Sequence, residues 1–163
     1  MATKVLQTIS IYRQDGKDGV AVCQAPGEEA SSTWKAGAAL QYVDATSKEL
    51  RIWSSTDSTA GIVGFAAKDA TGTTGAAVPY YEANDSNLFA ASMYDATDST
   101  YALTGLELGA QYSLKEVSDN FYLNVHDATS GANMSVVGLI DAVGDINPRV
   151  IARMVQADQA NVL

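Results

Sequence analysis

The residues of this chain that could perform chemistry are a single histidine, a single cysteine and many carboxylates. His126 stands in the sequence Leu-Asn-Val-His-Asp. Zinc sites need several His or Cys ligands at regular spacing, and no such cluster accompanies His126. A serine triad could use this imidazole as its base, but the Gly-x-Ser-x-Gly turn of many hydrolases does not occur. We therefore interpret His126 as a histidine at the end of a strand, beside a turn aspartate.

The other chemical motifs are equally weak. Cys23 follows Val-Ala-Val, which favours a small buried apolar side chain over a reactive thiol. The glycine pairs at 61–64 and 72–75 match neither a phosphate loop nor a dinucleotide fingerprint. Residues 95–100 offer oxygen ligands but lack the spacing and final Glu of a calcium loop. Paired carboxylates could in principle hydrolyse glycosides, but none is flanked by aromatic-rich sequence. We expect no catalytic residue, no metal, no cofactor and no enzyme activity.

Charge is distributed unevenly along the chain, whose 163 residues carry a formal net charge of −9. Residues 1–68 are balanced, with seven basic and seven acidic groups, whereas residues 69–148 hold eleven acidic groups and Lys115 as their only lysine or arginine. Such a surface repels phosphate backbones, so we expect no nucleic acid partner. No apolar run could span a bilayer, and the first residues lack the apolar core of a signal peptide. We therefore expect no membrane partner and synthesis in a cytoplasm.

The tripeptide Asp-Ala-Thr occurs four times, each time next to apolar or β-branched residues. An Asp carboxylate can accept hydrogen bonds from backbone N–H groups two or three residues further on and so stabilise a turn. We interpret the four copies as turns between strands, beginning at Asp44, Asp69, Asp95 and Asp127. Repeated turns of this kind predict an all-β domain that works through its surfaces.

Alternating and β-branched segments predict the strands. The main ones are residues 8–12, 38–43, 49–53, 61–67, 78–82, 88–94 and 149–155. The second and third bracket Asp44 as a hairpin, and the fourth is apolar enough to be buried on both faces. Pro79 places the fifth at an edge or a bulge. The sixth fits either a strand or a short helix because it is rich in alanine.

Two parts of the chain repeat the same order of features. Gly37 aligns with Gly109, and each is followed by a turn, an aromatic strand and a buried strand, at residues 62–65 and 136–139 respectively. The repeat predicts a compact barrel-like or sandwich-like β domain with two related modules, for which a β-tulip-like arrangement is one version. The predicted division is a flexible N-terminal arm with a short strand over 1–19 and a β domain over 20–163, with modules 20–100 and 101–163.

A further group of motifs lies between residues 35 and 155. They are Lys35-Ala36-Gly37, residues 60–70, Val78-Pro79-Tyr80-Tyr81, and residues 88–91, 109–114, 136–141 and 149–151. Together they resemble the head decoration, or cement, proteins of tailed bacteriophages. The resemblance implies a virion structural protein on the outer capsid surface, which binds the major capsid protein and reinforces the shell against internal pressure. It also implies self-association, as a homotrimer or alternatively a dimer.

The candidate contact residues are of two kinds. The N-terminal strand has the alternation that suits addition to a neighbour's sheet edge, so we expect capsid binding by Thr8, Ile9, Ser10, Ile11 and Tyr12. Aromatic side chains suit subunit contacts, with the core as the alternative, and the candidates are Trp34, Trp53, Tyr80 and Tyr81. Two other functions stay open: a tail-tube or fibre-associated virion protein, and a carbohydrate-binding β domain with an exposed tryptophan.

Overall fold

The computed structural model describes residues 1–13, 23–25, 27–44, 46–54, 61–84, 86–95, 97–98, 100–126 and 133–155. Within these residues the chain forms β-strands and no helix, which confirms the predicted all-β fold. The strands are β1 (Ser10–Arg13), β2 (Cys23–Ala25), β3 (Gly27–Glu28), β4 (Ala39–Tyr42), β5 (Glu49–Ile52), β6 (Gly64–Ala66), β7 (Val78–Glu82), β8 (Leu88–Tyr94), β9 (Gln111–Val117), β10 (Asn120–Asn124), β11 (Met134–Leu139) and β12 (Arg149–Met154).

Five strands close into a barrel in the order β8–β10–β9–β11–β12, with β12 returning to β8. Neighbouring strands are antiparallel except β8 and β10, which run parallel and pair at two positions, beginning with Leu123 opposite Met93. β1 occupies the other half of the same edge of β8, where Ser10 lies opposite Ala90. One edge of β8 is therefore shared between β1 and β10.

The other six strands form a curled open sheet in the order β2–β7–β6–β4–β5–β3. β4 and β5 form the predicted antiparallel hairpin around Asp44. β6 lies in the interior of this sheet and all of its residues are buried, which confirms the prediction of a strand covered on both faces.

Pro79 lies in an interior strand, so its predicted position at an edge or a bulge is wrong. β7 pairs in regular register with β2 on one side and with β6 on the other. The carbonyl of Pro79 accepts a hydrogen bond from Ala67 N (2.9 Å), one residue beyond the end of β6. Since the N and O of one strand residue face the same neighbour, the missing N–H of Pro79 also faces this position. The proline is tolerated because the ladder with β6 has already ended there.

Both sheets share one hydrophobic core. Phe65 of β6 packs on Phe89 of β8, with ring centroids 4.7 Å apart. The segment 88–94 is thus a strand, and its alternate side chains fill the barrel. Each large side chain buried in this way contributes roughly 1.5–3 kcal/mol relative to leaving it exposed. The predicted final strand is also confirmed, because β12 buries Val150 and Met154 in the same core.

The two aligned segments have the same local structure. Gly37 and Gly109 both have positive φ angles, 88° and 81°. In each segment the glycine N–H donates to a carbonyl of a later strand, Ala66 O (2.8 Å) in the first and Val136 O (2.9 Å) in the second. The alignment of the two glycines is therefore confirmed. By these hydrogen bonds Val136 is equivalent to Ala66, whereas the repeat in the sequence aligns Val136 with Ile62.

Sheet membership passes from the curled sheet to the barrel between β7 and β8. The division into an arm over 1–19 and a domain over 20–163, with modules 20–100 and 101–163, stays a prediction. Cys23 begins β2, and its side chain lies outside the described part of the structure.

Residues 1–13 lie along the barrel, and the short strand expected over residues 8–12 is present as β1 (Ser10–Arg13), whereas the flexibility expected of the arm stays a prediction. Thr3 forms a parallel bridge with Ile146, in which Lys4 N donates to Ile146 O (2.8 Å) and Ile146 N donates to Ala2 O (2.7 Å). Ile9 is buried in the core. These partners are distant in sequence, which is why no local pattern revealed them. Residues 14–19 of the predicted arm lie outside the described residues.

Candidate interaction surface

Four aliphatic side chains are exposed on adjoining segments at one end of the barrel, and we call them the aliphatic surface. They are Leu106, Leu108, Val137 and Val143, with exposures of 86%, 53%, 42% and 63%. The first two lie in the loop that leads into β9, and the other two lie in β11 and in the loop that follows it. Exposed apolar side chains that lie together commonly mark a protein contact site.

The two loops of the aliphatic surface are joined by backbone hydrogen bonds. Gly144 N donates to Leu103 O (2.8 Å), and Leu103 N donates to Asp145 O (3.0 Å). A Cβ built on Gly105 would lie 3.4 Å from Val143 Cγ2. The chain next to Leu106 is therefore close to the side chain of Val143. The surface is therefore formed by the fold itself, before any partner binds.

A buried carboxylate braces the first of these loops. Glu107 is 1% exposed, although it lies between exposed Leu106 and Leu108. Its Oε1 accepts hydrogen bonds from Tyr101 Oη, Thr104 N (3.0 Å) and Thr104 Oγ1 (2.6 Å), and its Oε2 accepts one from Gly105 N (2.6 Å). Four donors on one carboxylate fix the path of the chain, because a buried charged acceptor needs them to offset its desolvation.

The same contacts perturb the acid–base behaviour of the loop. Burial by itself would raise the pKa of Glu107, but the hydrogen bonds from Thr104 and Tyr101 outweigh it and lower the pKa to about 2. Burial raises the pKa of Tyr101 well above its usual range, and the hydrogen bond to Glu107 raises it further. Glu107 is therefore ionised and Tyr101 protonated at neutral pH, which is the state in which this hydrogen bond is strongest.

A second buried glutamate, in the curled sheet, also holds a loop in place by accepting hydrogen bonds from it. Glu28, also 1% exposed, accepts hydrogen bonds from Thr71 N (2.7 Å), Thr71 Oγ1 (2.6 Å) and Gly72 N (3.2 Å). Each carboxylate thus holds a Thr-Gly pair whose glycine has a positive φ, 73° at Gly72 and 89° at Gly105. Neither glutamate stands out from its sequence context. The Thr-Gly dipeptides were the available signal, but nothing local connects Thr71 to Glu28.

The charged side chains beside the aliphatic surface pair with one another. Lys4 Nζ lies 3.7 Å from Asp141 and 3.4 Å from Asp145, and Arg149 Nε lies 3.3 Å from Asp141. Burial by itself would raise the pKa of Asp141, but hydrogen bonds from Arg149 outweigh it and lower the pKa. A hydrogen bond from Ala2 N lowers the pKa of Asp145, and Lys4 lowers it further. Asp141 and Asp145 are therefore ionised at neutral pH, and each lies within 4 Å of a basic side chain.

His126 pairs with a turn aspartate that is distant from it in sequence. Its Nε2 lies 2.8 Å from Asp95 Oδ1, while Asp127 lies outside the described residues. Hydrogen bonds from the backbone of Asp98 and Thr97 lower the pKa of Asp95, and His126 lowers it further. Among the described residues no three His, Cys, Asp or Glu side chains are grouped as a metal site.

The Asp-Ala-Thr turns divide into two kinds. Asp44 Oδ1 accepts hydrogen bonds from Thr46 N (2.6 Å) and Ser47 N (2.7 Å), and Asp95 Oδ1 accepts them from positions +2 and +3 in the same way. These two confirm the predicted turn chemistry. Asp69 instead accepts hydrogen bonds from Ala36 N (2.9 Å) and Lys35 Nζ (3.1 Å), so it ties two distant loops together. The fourth copy, at 127–129, lies outside the described residues.

The five predicted capsid-binding residues differ in accessibility. Ile9 is buried, Thr8 and Ile11 are half-buried, and Ser10 and Tyr12 are exposed. Their strand β1 pairs with the chain's own β8, and its second edge has no strand partner among the residues that the structure describes. Ser10 and Tyr12 are therefore the two members whose side chains could reach a partner, and capsid binding by this segment stays a prediction.

The four aromatic candidates lie mainly inside the molecule. Trp34, 2% exposed, and Tyr80 belong to the core of the single chain, so the alternative of a core position is the right one for them. Trp53 and Tyr81 are half-buried and pack against that core. A subunit contact stays a prediction for this second pair. The carbohydrate-binding alternative requires an exposed Trp34 or Trp53; the burial of Trp34 rules out the first, and at the half-buried Trp53 the alternative stays a prediction.

Comparison of the chain with protein-family models, curated proteins and solved structures gives no match. The part of the chain that the structure describes contains no helix of the length and apolarity needed to cross a membrane.

Proposed function

We propose that this chain is a non-enzymatic virion structural protein of a tailed bacteriophage. In this proposal it binds the major capsid protein on the outer surface of the shell, associates with itself as a trimer or dimer, and stabilises the shell against internal pressure. The motifs between residues 35 and 155 that resemble head decoration proteins are the starting point.

One structural observation carries the proposal: an all-β body, made of a closed barrel and an open curled sheet, exposes apolar side chains in two separate places. The aliphatic surface lies beside the start of β12, whereas Tyr12 lies beside the opposite end of β8, since Arg149 pairs with Ser92 and β1 pairs with residues 88–90. A molecule that holds neighbouring subunits together needs more than one contact site. Contacts that are individually weak then suffice, because the second contact becomes effectively intramolecular once the first has formed.

Charge supports the same function. The chain carries a net charge of −9, with the excess of acidic groups in residues 69–148. A particle coated with many copies of an acidic protein repels other particles and stays dispersed.

The proposal is tested by co-sedimentation with empty, expanded heads of the virus that encodes the chain. We expect binding that saturates at a fixed number of copies per head, and coated heads that withstand a higher temperature than bare heads. Tyr12→Ser should weaken binding at the predicted capsid-binding strand, while Lys115→Ser, an exposed change on β9, should not. If the purified protein stays in the supernatant at every head concentration, the proposed function is wrong.

A further inference from the structure

We infer that the aliphatic surface is where a second copy of this chain docks. The expectation that copies of the chain assemble rests on the proposed function. The contact between copies is assigned to Leu106, Leu108, Val137 and Val143. None of these residues was a candidate from the sequence.

The aliphatic surface is exposed and rigid at the same time. Leu106 leaves 86% of its surface in water, although it lies next to a carboxylate that is almost fully buried. The hydrogen bonds of Glu107 prevent the loop from turning its leucines inwards. A preformed apolar surface loses little conformational entropy when it docks, and this favours association.

The charges near the aliphatic surface favour an identical chain as the docking partner. In a two-fold contact the same surface of both copies meets, and close to a three-fold axis like side chains also approach one another, so a docking surface for like molecules should be close to neutral. The segments that carry the aliphatic surface contain three carboxylates, those of Glu107, Asp141 and Asp145, and the cations Lys4 and Arg149 pair with the two aspartates. The carboxylate of Glu107 is buried and accepts hydrogen bonds from its own loop. This end of a chain with net charge −9 can therefore meet an identical end without strong repulsion.

The N-terminal segment, which pairs with the loop between β11 and β12, adds further exposed apolar residues. The N-terminal residues run beside Ile146, and Met1 and Val5 are also highly exposed. An apolar centre with paired charges at its margin is the arrangement found in interfaces between protein subunits.

The test is the mass of the purified full chain in solution, by light scattering after size exclusion and by sedimentation equilibrium. We expect a small whole-number multiple of the 17.1 kDa chain mass. Leu106→Lys should reduce association at least tenfold, because it places like charges together in each contact. Ala77→Lys is the matched control, the same new charge at an exposed apolar residue beside β7 of the curled sheet, and should associate like the unaltered chain.

Folding is checked on the same samples by thermal melting. Leu106 makes little contact with the core, so its substitution should leave the melting temperature of the single chain unchanged. If Leu106→Lys melts early, Val143→Lys takes its place with the same expected loss of association. An unaltered chain that is a single-chain species at its highest soluble concentration overturns the inference. An oligomer that withstands both Leu106→Lys and Val143→Lys also overturns it.

Failure of this inference differs from failure of the proposed function. A single-chain species that pellets with heads overturns self-docking and leaves capsid binding in place. If its binding is then lost in Leu106→Lys, the aliphatic surface contacts the shell instead of a second copy. An oligomer that ignores heads supports the self-docking surface and overturns the proposed function.

Discussion

Replacing Glu107 by glutamine tests the idea that one carboxylate braces the loop of the aliphatic surface. The amide puts an NH2 group where an oxygen now accepts hydrogen bonds, so at least one donor among Thr104 and Gly105 loses its acceptor. The pKa of Glu107 falls from 4.5 to about 2 on folding. At about 1.4 kcal/mol per pKa unit, this corresponds to about 3 kcal/mol of stability from the ionised group.

We therefore expect Glu107→Gln to lower the free energy of unfolding at pH 7 by about 3 kcal/mol. At roughly 2–4 °C per kcal/mol for a chain of this size, the melting temperature should fall by about 6–12 °C. Urea unfolding followed by tryptophan fluorescence measures the loss. The control is Glu116→Gln, an exposed carboxylate on the strand that follows the same loop, which should change stability by less than about 0.5 kcal/mol.

The pH dependence gives an independent check. A carboxylate whose pKa is lowered on folding stabilises the protein fully above its unfolded pKa, and this contribution disappears as the pH falls through the folded pKa. The stability difference between the unaltered chain and Glu107→Gln should therefore be largest above pH 4.5 and shrink towards pH 2. A loss below about 1 kcal/mol at pH 7, or a difference that does not change with pH, would refute the account of the brace.

Two further substitutions test other parts of the fold by urea unfolding. Glu28→Gln should lower the free energy of unfolding by about 1–3 kcal/mol, because the Thr71 donors lose a buried acceptor. The control is Glu29→Gln, at the half-buried neighbouring residue, and an equal loss in both variants would contradict this prediction. Gly37→Ala should lower the free energy of unfolding several times more than Gly109→Ala. Both glycines have positive φ, but a Cβ at Gly37 would lie 2.2 Å from Ile9 O, whereas a Cβ at Gly109 would have no described atom within 4 Å other than those of its chain neighbours. For Gly109→Ala we expect a loss of about 1 kcal/mol, and an equal loss in Gly37→Ala would show that the contact with Ile9 is unimportant.

Features that depend on neighbours in sequence were predictable. The hairpin around Asp44 follows from two alternating segments and one turn residue, and the carboxylate of Asp44 caps that turn as expected. β12 was predictable because alternate residues face the core. The common turn at Gly37 and Gly109 was visible as an aligned glycine because only a positive φ fits there.

Features that depend on distant partners were not predictable. The packing of residues 1–13 requires Ile146, which no pattern near the N-terminus can specify. The tolerance of Pro79 depends on where a neighbouring strand ends. The aliphatic surface arises because Glu107 turns inwards while Leu106 and Leu108 turn outwards, and its hydrogen-bond donors decide that direction, not the local hydrophobic pattern.

The shared edge of β8 has a consequence for how the chain folds. β1 and β10 must both find this edge, and β12 must cover the opposite one before the barrel is complete. All three contacts span long stretches of sequence, so much loop entropy is lost before they contribute stability. Barrel closure should therefore be a late and slow event in refolding. The two-position parallel junction at Leu123 and Met93 is the place where native-state hydrogen exchange should reveal the first local opening.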